Sequence, residues 1–309
     1  ASWSAVPFSN EKSGGKMMQI EFFKNKLMDT VVWLIVILMT LCCLLPLLNT
    51  LAISFSNNSA VNANQVGILP VGFTLSSYKK LLEDNQFWRS AWISVLRVVL
   101  GTGLNMLMMI LLAYPLSKSK NRFASRDIYM KLVIFAMLFN GGLIPGYIIV
   151  SKLHLLNTIW ALVLPGAVPV FNVILLMNFM KGLPEALEEA AVIDGASEWT
   201  ILTRVVLPIS KPGLATVALF CIVNHWNDYF QGLIYMRTPS KYPLQTYIQQ
   251  LTIDVSQITD PQQLIYFMTI STRTLNAAKI VVATVPLLVI YPFLQRYFVT
   301  GIVIGAVKE

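Results

Sequence analysis

Residues 188–208 read EEAAVIDGASEWTILTRVVLP. Glu188, Glu189, Asp194 and Glu198 are four of the chain's fifteen acidic residues, and Glu185 just ahead is a fifth. Long apolar runs flank the stretch, so a segment this polar has to lie where water or another protein meets it. Local rules say how it folds. Pro184 starts a helix without loss, because a first-turn N–H has no partner to lose. The following EALEEAAVID is rich in strong helix formers. Glu185, Glu188 and Glu189 fall in the first turns, where carboxylates favour the positive end of the helix dipole. Leu187, Ala190, Ala191 and Asp194 recur at spacings of three and four, a stripe of mostly small residues on one face. Gly195 suits the left-handed conformation that ends a helix. Ser197 then suits the cap of a second helix, SEWTILTRVV, running to Leu207-Pro208. The expectation is a helix–turn–helix over 184–210. A linker lying on anionic lipid would carry a basic polar face; this first helix is acidic and fits a cationic protein surface.

The flanks set the class. Of 309 residues, 56% are hydrophobic and only 12% charged, against about a quarter charged in soluble domains. Apolar runs of about 20 residues recur, the length that crosses a bilayer. The expected fold is an all-α integral membrane protein with six transmembrane helices at 31–53, 91–116, 132–150, 158–180, 212–233 and 280–298. The first run is followed by no small-residue cleavage site, so it is expected to stay as a span and not to act as a signal peptide. Several spans contain proline, which membrane helices tolerate where neighbours or a watery cavity satisfy the freed backbone. Cys42, Cys43 and Cys221 lie in apolar runs without metal spacing and read as small buried hydrophobes.

Lysine and arginine counts orient the bundle. The segment before span one, the loops after spans two and four and the C-terminal end carry fourteen basic residues; the opposite loops carry eight. Both termini and the 184–210 segment are therefore expected on the cytoplasmic side. Two long external segments, 54–90 and 234–279, mix aromatics with amides and read as small folded elements. The net charge of +8 is a topology signal and implies no nucleic-acid partner.

Catalytic patterns are missing. The two histidines, His154 and His225, cannot build an H-E-x-x-H zinc site, and no G-x-S-x-G elbow occurs. Ser13-Gly14-Gly15-Lys16 lacks most of a phosphate loop. No metal or cofactor is expected on the chain, and it does not read as an enzyme. Ion-coupled carriers place carboxylates within their spans; here Asp228, late in span five, is the single candidate. Energy is therefore expected from outside the chain, with a self-contained secondary carrier as the rival reading. Span five ends in Asn224-His225-Trp226-Asn227-Asp228-Tyr229, a polar run that should face protein or water. Amides match sugar hydroxyls and aromatic faces stack on sugar C–H groups, so Asn224, Trp226, Asn227 and Tyr229 are the substrate-pathway candidates. Helix-to-helix hydrogen bonding is the competing account of the same residues. Asn140-Gly141-Gly142 with Pro145 would break span three near its outer half and reads as a kink, with a gate as the alternative; Arg97 reads as a snorkelling or paired cation without a functional role.

Glu189-Ala190-Ala191, Gly195, Val205 and Leu207-Pro208 together resemble the cytoplasmic signature of ABC importer permeases, with Val205 where that family often has isoleucine. IDGAS (193–197), NGGLIP (140–145), WNDYF (226–230) and the closing Gly305-Ala306-Val307-Lys308 resemble the maltose-type carbohydrate-uptake permeases. Within these the chain is similar to the LplC/YtcP-like polysaccharide or oligosaccharide permeases. The resemblance implies a type I importer permease fold, with a cytoplasmic tail at 1–29, a six-span domain at 30–299 and a tail at 300–309. It implies the bacterial cytoplasmic membrane, a second homologous permease, two ATPase subunits holding ATP and magnesium, and an extracytoplasmic solute-binding protein. In this family the EAA segment is the coupling helix that docks on the ATPase. Glu188, Glu189, Ala190, Ala191, Asp194, Gly195, Leu207 and Pro208 would serve that coupling: Glu189 would pair with a basic residue of the ATPase, Ala190 and Ala191 would permit close packing, and Gly195 would make the turn. Gly305 and Lys308 would belong to a tail that reaches the ATPases. An ABC permease for a non-sugar solute is the alternative within the family.

Overall fold

Some apolar runs fold into helices that stop and restart at asparagine, glycine or proline, while Pro46, Pro115, Pro286 and Pro292 stay inside continuous helices. The computed structural model describes the backbone of residues 11–251 and 273–306, and side chains over 28–250 and 273–292. In order the helices are α1 (Glu11–Ser54), α2 (Asn58–Asn62), α3 (Ser76–Glu83), α4 (Asn85–Ser117), α5 (Arg126–Leu138), α6 (Leu143–Lys152), α7 (Trp160–Val163) and α8 (Val170–Lys181). They continue as α9 (Glu185–Ile193), α10 (Glu198–Thr200), α11 (Leu207–Ile209), α12 (Lys211–Asn227), α13 (Phe230–Tyr235), α14 (Leu244–Leu251) and α15 (Arg273–Ala306). A 3-10 turn, Leu164–Gly166, extends α7, and a π-helical stretch, Ile201–Val206, joins α10 to α11. No strand occurs among the described residues.

Three helices are long and apolar enough to cross a membrane alone: Met28–Ser54, Asn85–Ser117 and Arg273–Pro292. Three bent pairs pass the same test together and bring the total to as many as six if each is one span: α5 with α6 at 111°, Trp160–Gly166 with α8 at 51°, and Glu198–Ile209 with α12 at 81°. The third expected span is thus broken where Asn140-Gly141-Gly142 falls, at a sharp angle. Gly142 adopts φ 87°, open to glycine alone at little cost, and its N–H donates to Asn140 Oδ1 at 2.9 Å. Pro145 falls in the first turn of α6, where proline is tolerated. The fifth span is also shorter than expected. α12 stops at Asn227, and Asp228 restarts the chain as α13 by accepting from the N–H groups of Phe230 (2.9 Å) and Gln231 (3.2 Å).

The chain divides into two compact units, Ala1–Thr74 and Leu75–Glu309. In the first, α1 exposes its apolar side chains from Met28 to Leu47. Near the end of α1, Asn49 donates to the carbonyls of Val66 and Gly67; beyond it, Asn57 caps α2 and Phe55 stacks on Phe73 at 5.6 Å.

The second unit is organised by α4. Its buried residues Ser90, Ser94, Arg97, Gly101, Asn105, Met109 and Ala113 recur every three or four positions. Trp92, Val95, Leu96, Val99, Leu107 and Leu111 point outward. An apolar outside and a small, polar inside is the pattern of a lipid-bathed helix, since lipid tails are as apolar as leucine and close packing has to supply the cohesion. Against the lower half of this face, α8, the π stretch and α12 bury Val173, Leu176, Ile201, Leu202, Val217 and Cys221. Against the upper half pack Trp226, Leu244, Tyr247, Ile248, Leu275 and Ala283.

Gly101 sets the α4–α12 approach. A Cβ there would lie 2.6 Å from Cε1 of His225, closer than any real contact. Gly101→Ala is therefore expected to push the imidazole off Asn105 and destabilise the protein by about 1–3 kcal/mol, as overpacking does. A lowered melting temperature in detergent, read by size-exclusion chromatography after heating, checks it.

Candidate functional site

The 184–210 segment folds as its residues dictate. Pro184 sits just outside α9 with extended backbone. Gly195 takes φ 78°, its N–H donating to Val192 O at 3.0 Å, while Ala196 N–H reaches Ala191 O at 2.9 Å. Ser197 Oγ caps the next helix by accepting from Thr200 N–H at 3.3 Å. That helix runs through the π stretch to Ile209, one residue past Pro208. Proline at 208 has no N–H for the carbonyl four residues back, and a widened turn is one way a helix absorbs that loss.

The two adjacent glutamates at the start of the signature both border one groove but differ in exposure. Glu189, Ala190, Asp194 and Gly195 are exposed, as are Leu187, Val192 and Trp199, with Ile193 at 85%. Glu188 turns inward and is only 14% exposed in its ion pairs. It is paired with Lys118 Nζ and with Arg122 Nη1, the latter at 2.9 Å. Arg122 Nη2 reaches Glu198 Oε1 at 3.3 Å, and Glu198 Oε2 accepts from Tyr114 O–H at 2.6 Å. Burial pulls the Lys118 ammonium below its ordinary value, opposed by the hydrogen bond and charge of Glu188. Ala191 packs on the core below, with Val205 and Leu207 beside it, while Pro208 is exposed. Between α9 and the turn after α4 lies a groove of about 870 Å³ lined by Lys118, Arg122, Arg126, Glu185, Glu188 and Glu189 among others. Gly305 belongs to the backbone of α15, and Lys308 lies outside the described residues.

The polar run at the end of α12 splits. Trp226 is 6% exposed, packs in the cluster with Phe87 and Tyr247, and donates its indole N–H to Ala283 O at 3.1 Å. Asn224 and Asn227 are exposed and line a groove of about 700 Å³ with Leu287, Leu288 and Tyr291. Asn224 also borders a smaller cavity of about 300 Å³ with Asn105, Asn172 and Cys221. Tyr229 is exposed, and its carbonyl accepts from Thr246 Oγ1 at 2.8 Å. The structure thus brings Asn224 and Asn227 together on one groove and sets Trp226 in packed interior.

Asp228 is held by Arg97, which is 1% exposed. One guanidinium nitrogen donates to Asp228 O at 2.8 Å; the other reaches Asp228 Oδ2 at 2.7 Å and Gln231 Oε1 at 2.6 Å. Asn105 donates to the carbonyls of Gly166 (2.7 Å) and Ala167 (2.9 Å) at the break before α8, and its Oδ1 lies 2.8 Å from His225 Nε2. The sequence alone assigns no role to Arg97 or Asn105. The signal is the recurrence of small and polar residues along an otherwise apolar helix.

At the other end of α4, Asp84 Oδ1 caps the helix through Phe87 N–H at 3.0 Å, while Oδ2 pairs with buried Lys279 at 2.5 Å and accepts from Tyr247 O–H at 2.8 Å. Burial alone would raise the Asp84 carboxyl, but Lys279, Phe87 N–H and Tyr247 outweigh it and hold the group below its ordinary value of 3.8. A depressed carboxylate contributes stability that is present above its unfolded value and lost as pH falls through the folded one. The melting temperature is expected to drop below about pH 4, and Asp84→Asn, already destabilised at neutral pH, is expected to lose much of that drop. Equal acid sensitivity in the two proteins would remove Asp84 from the account.

Apolar helices with broken spans and an exposed helical hairpin are the arrangement of a membrane-embedded protein. Residues 18–304 match the family described as binding-protein-dependent transport system inner membrane component, and the chain belongs to it. It is 36% identical over 286 residues to the polygalacturonan/rhamnogalacturonan transport system permease protein YtcP of Bacillus subtilis (strain 168), covering 92% of this chain and 99% of that one. To protein LplC of the same organism it is 41% identical over 274 residues, 86% of this chain and 89% of the other. Among solved structures, it matches a chain in the crystal structure of a bacterial ABC transporter involved in the import of the acidic polysaccharide alginate. There the identity is 29%, the TM-score 0.81, and the coverage 95% of this chain and 100% of that one. As a member of this family the chain is a permease of the ABC type, a transport component and not an enzyme.

Proposed function

We propose that this chain is one of two homologous permease subunits in an ATP-driven, binding-protein-dependent importer of oligosaccharides or polysaccharide fragments. Two ATPase subunits carrying ATP and magnesium work on it from the cytoplasmic side, where the α9–α11 hairpin and both termini lie. A solute-binding protein delivers cargo at the opposite face, and the whole sits in a bacterial cytoplasmic membrane. The observation that carries the reading is the α9 hairpin. Its outward face offers Glu189, the small Ala190 and the apolar Leu187 and Ile193, with no covering element among the described residues. An acidic position ringed by apolar side chains is what a docked protein with a basic, partly apolar cleft requires. The cargo class is supported by the full-length likeness to a polygalacturonan/rhamnogalacturonan permease and to an alginate importer chain. Asn224 and Asn227, exposed along an otherwise apolar groove, supply the amides that a sugar's hydroxyls would meet; Tyr229 is exposed just past the end of that helix, and Trp226 holds the helix that carries the amides.

The test is purification of the complex from its native membrane in gentle detergent, with mass spectrometry of what accompanies the chain. An ATPase and a second permease in stoichiometric amount are expected, together with ATP-dependent uptake of labelled oligosaccharide into vesicles supplied with the binding protein. A lone chain that transports on an ion gradient would overturn the reading.

A further inference from the structure

We propose that Glu188 is a positioning residue, the inward strut that fixes the coupling hairpin to α4, and makes no contact with the ATPase. The proposal rests on the importer reading above and assigns a division of labour within it: Glu189 faces the partner, and Glu188 faces the membrane domain. Three observations carry it. Glu188 is only 14% exposed on the wall of the groove beside α9, and its carboxylate is shared by Lys118 and Arg122, both in the turn that immediately follows α4. Arg122 continues to Glu198, on the second helix of the hairpin, and Glu198 accepts from Tyr114, the last-turn tyrosine of α4. Both helices of the hairpin are thereby tied to one end of the same long helix. Lys118 also lies 4.0 Å over the Tyr114 ring, closing the circuit.

A hairpin held by packing alone would slide when pulled, because apolar contacts are non-directional. A partly buried ion-pair network has one geometry in which every charge is satisfied, and leaving it exposes an unpaired charge. Motion imposed on the hairpin is therefore delivered to α4. The same α4 carries Asn105 and Arg97, which hold the breaks before α8 and after α12. A path of discrete bonded contacts thus runs from the outward face of α9 to the two irregular points of the bundle.

The experiment uses the whole complex reconstituted in vesicles, comparing Glu188→Gln, Glu188→Asp and Glu189→Gln with the parent. Glu188→Gln is expected to keep the ATPase subunits through purification and to keep hydrolysing ATP, while uptake per ATP falls roughly tenfold or more, within the usual range of coupling energies. Glu188→Asp, which retains the charge, is expected to recover most of the ratio. A second arm uses Lys118→Cys with Glu188→Cys in a chain whose Cys42, Cys43 and Cys221 are replaced by serine. A reversible bis-methanethiosulfonate bridge between these cysteines is expected to restore uptake, and reductant to abolish it again. Loss of the ATPases from Glu188→Gln would make Glu188 a docking contact and overturn the proposal, as would unchanged uptake per ATP. If Glu188→Gln fails to assemble, the bridged pair decides alone: inactivity both bridged and reduced would overturn it. A parent complex that brings down no ATPase is a separate result, which defeats the importer reading itself.

Discussion

Arg97→Ala is expected to destabilise the protein by about 3–5 kcal/mol, the loss that follows when one member of a buried ion pair is removed. The geometry explains the size. Arg97 is 1% exposed and uses two nitrogens on three acceptors: the carbonyl and carboxylate of Asp228 and the amide oxygen of Gln231. Alanine leaves all three without that donor at a point where α12 has ended and α13 has not begun. Arg97→Lys is expected to fall between, because a single ammonium cannot reproduce the planar fork. Thermal melting in detergent, followed by size-exclusion chromatography, ranks the parent, lysine and alanine proteins. Melting of Arg97→Ala alongside the parent would show that the pair is solvated and idle.

The same pair settles how Asp228 should be regarded. A carboxylate alone in a membrane helix invites a proton-relay reading. Asp228 instead gives one oxygen to Arg97 and the other to the N–H groups that open α13. Both oxygens are committed to holding a helix break, so its work is architectural, and uptake is expected to be indifferent to a proton gradient.

The sequence carried the class of fold and the local form of the hairpin because both depend on near neighbours. Span length, the proline before α9, the glycine at 195 and the serine cap at 197 act within a few residues of themselves. The breaks were harder to read. Hydropathy does not distinguish a continuous span from two helices meeting at 111°, since the average over 132–150 is apolar either way. Asn140-Gly141-Gly142 announces a discontinuity, but its angle is set by what α5 and α6 each pack against. The polar run at 224–229 was legible as something that avoids lipid. Which of its members turn inward depends on α15 and α4, and Trp226 went to the interior by finding a carbonyl partner at Ala283. Long-range pairs such as Arg97–Asp228, Lys279–Asp84 and Lys118–Glu188 leave no local pattern. Their visible trace is that each is a charged residue at or near a span end with its partner far along the chain.

Glu189→Lys and Gly195→Pro are expected to abolish coupled uptake by two different routes, and the contrast tests the hairpin more sharply than either alone. Glu189 is exposed and makes no ion pair among the described residues, so reversing its charge disturbs the fold only through the helix dipole and the solvent-screened cations of the same groove, about 0.3–1 kcal/mol each. Against a basic docking cleft, the reversal costs about 2–5 kcal/mol, or roughly 30-fold or more in ATPase retention. The Glu189→Lys protein should therefore melt like the parent and yet lose its ATPases during purification. Gly195 sits at φ 78° and donates to Val192 O. Proline cannot reach that φ and has no N–H, so the turn itself fails. Gly195→Asn, which tolerates the left-handed region, should retain most of the uptake that proline loses. If Glu189→Lys kept its ATPases and its uptake, the outward face of α9 would not be the docking surface. If proline and asparagine at 195 behaved alike, the turn's backbone geometry would be irrelevant to transport, and the coupling assignment would have to move to another part of the chain.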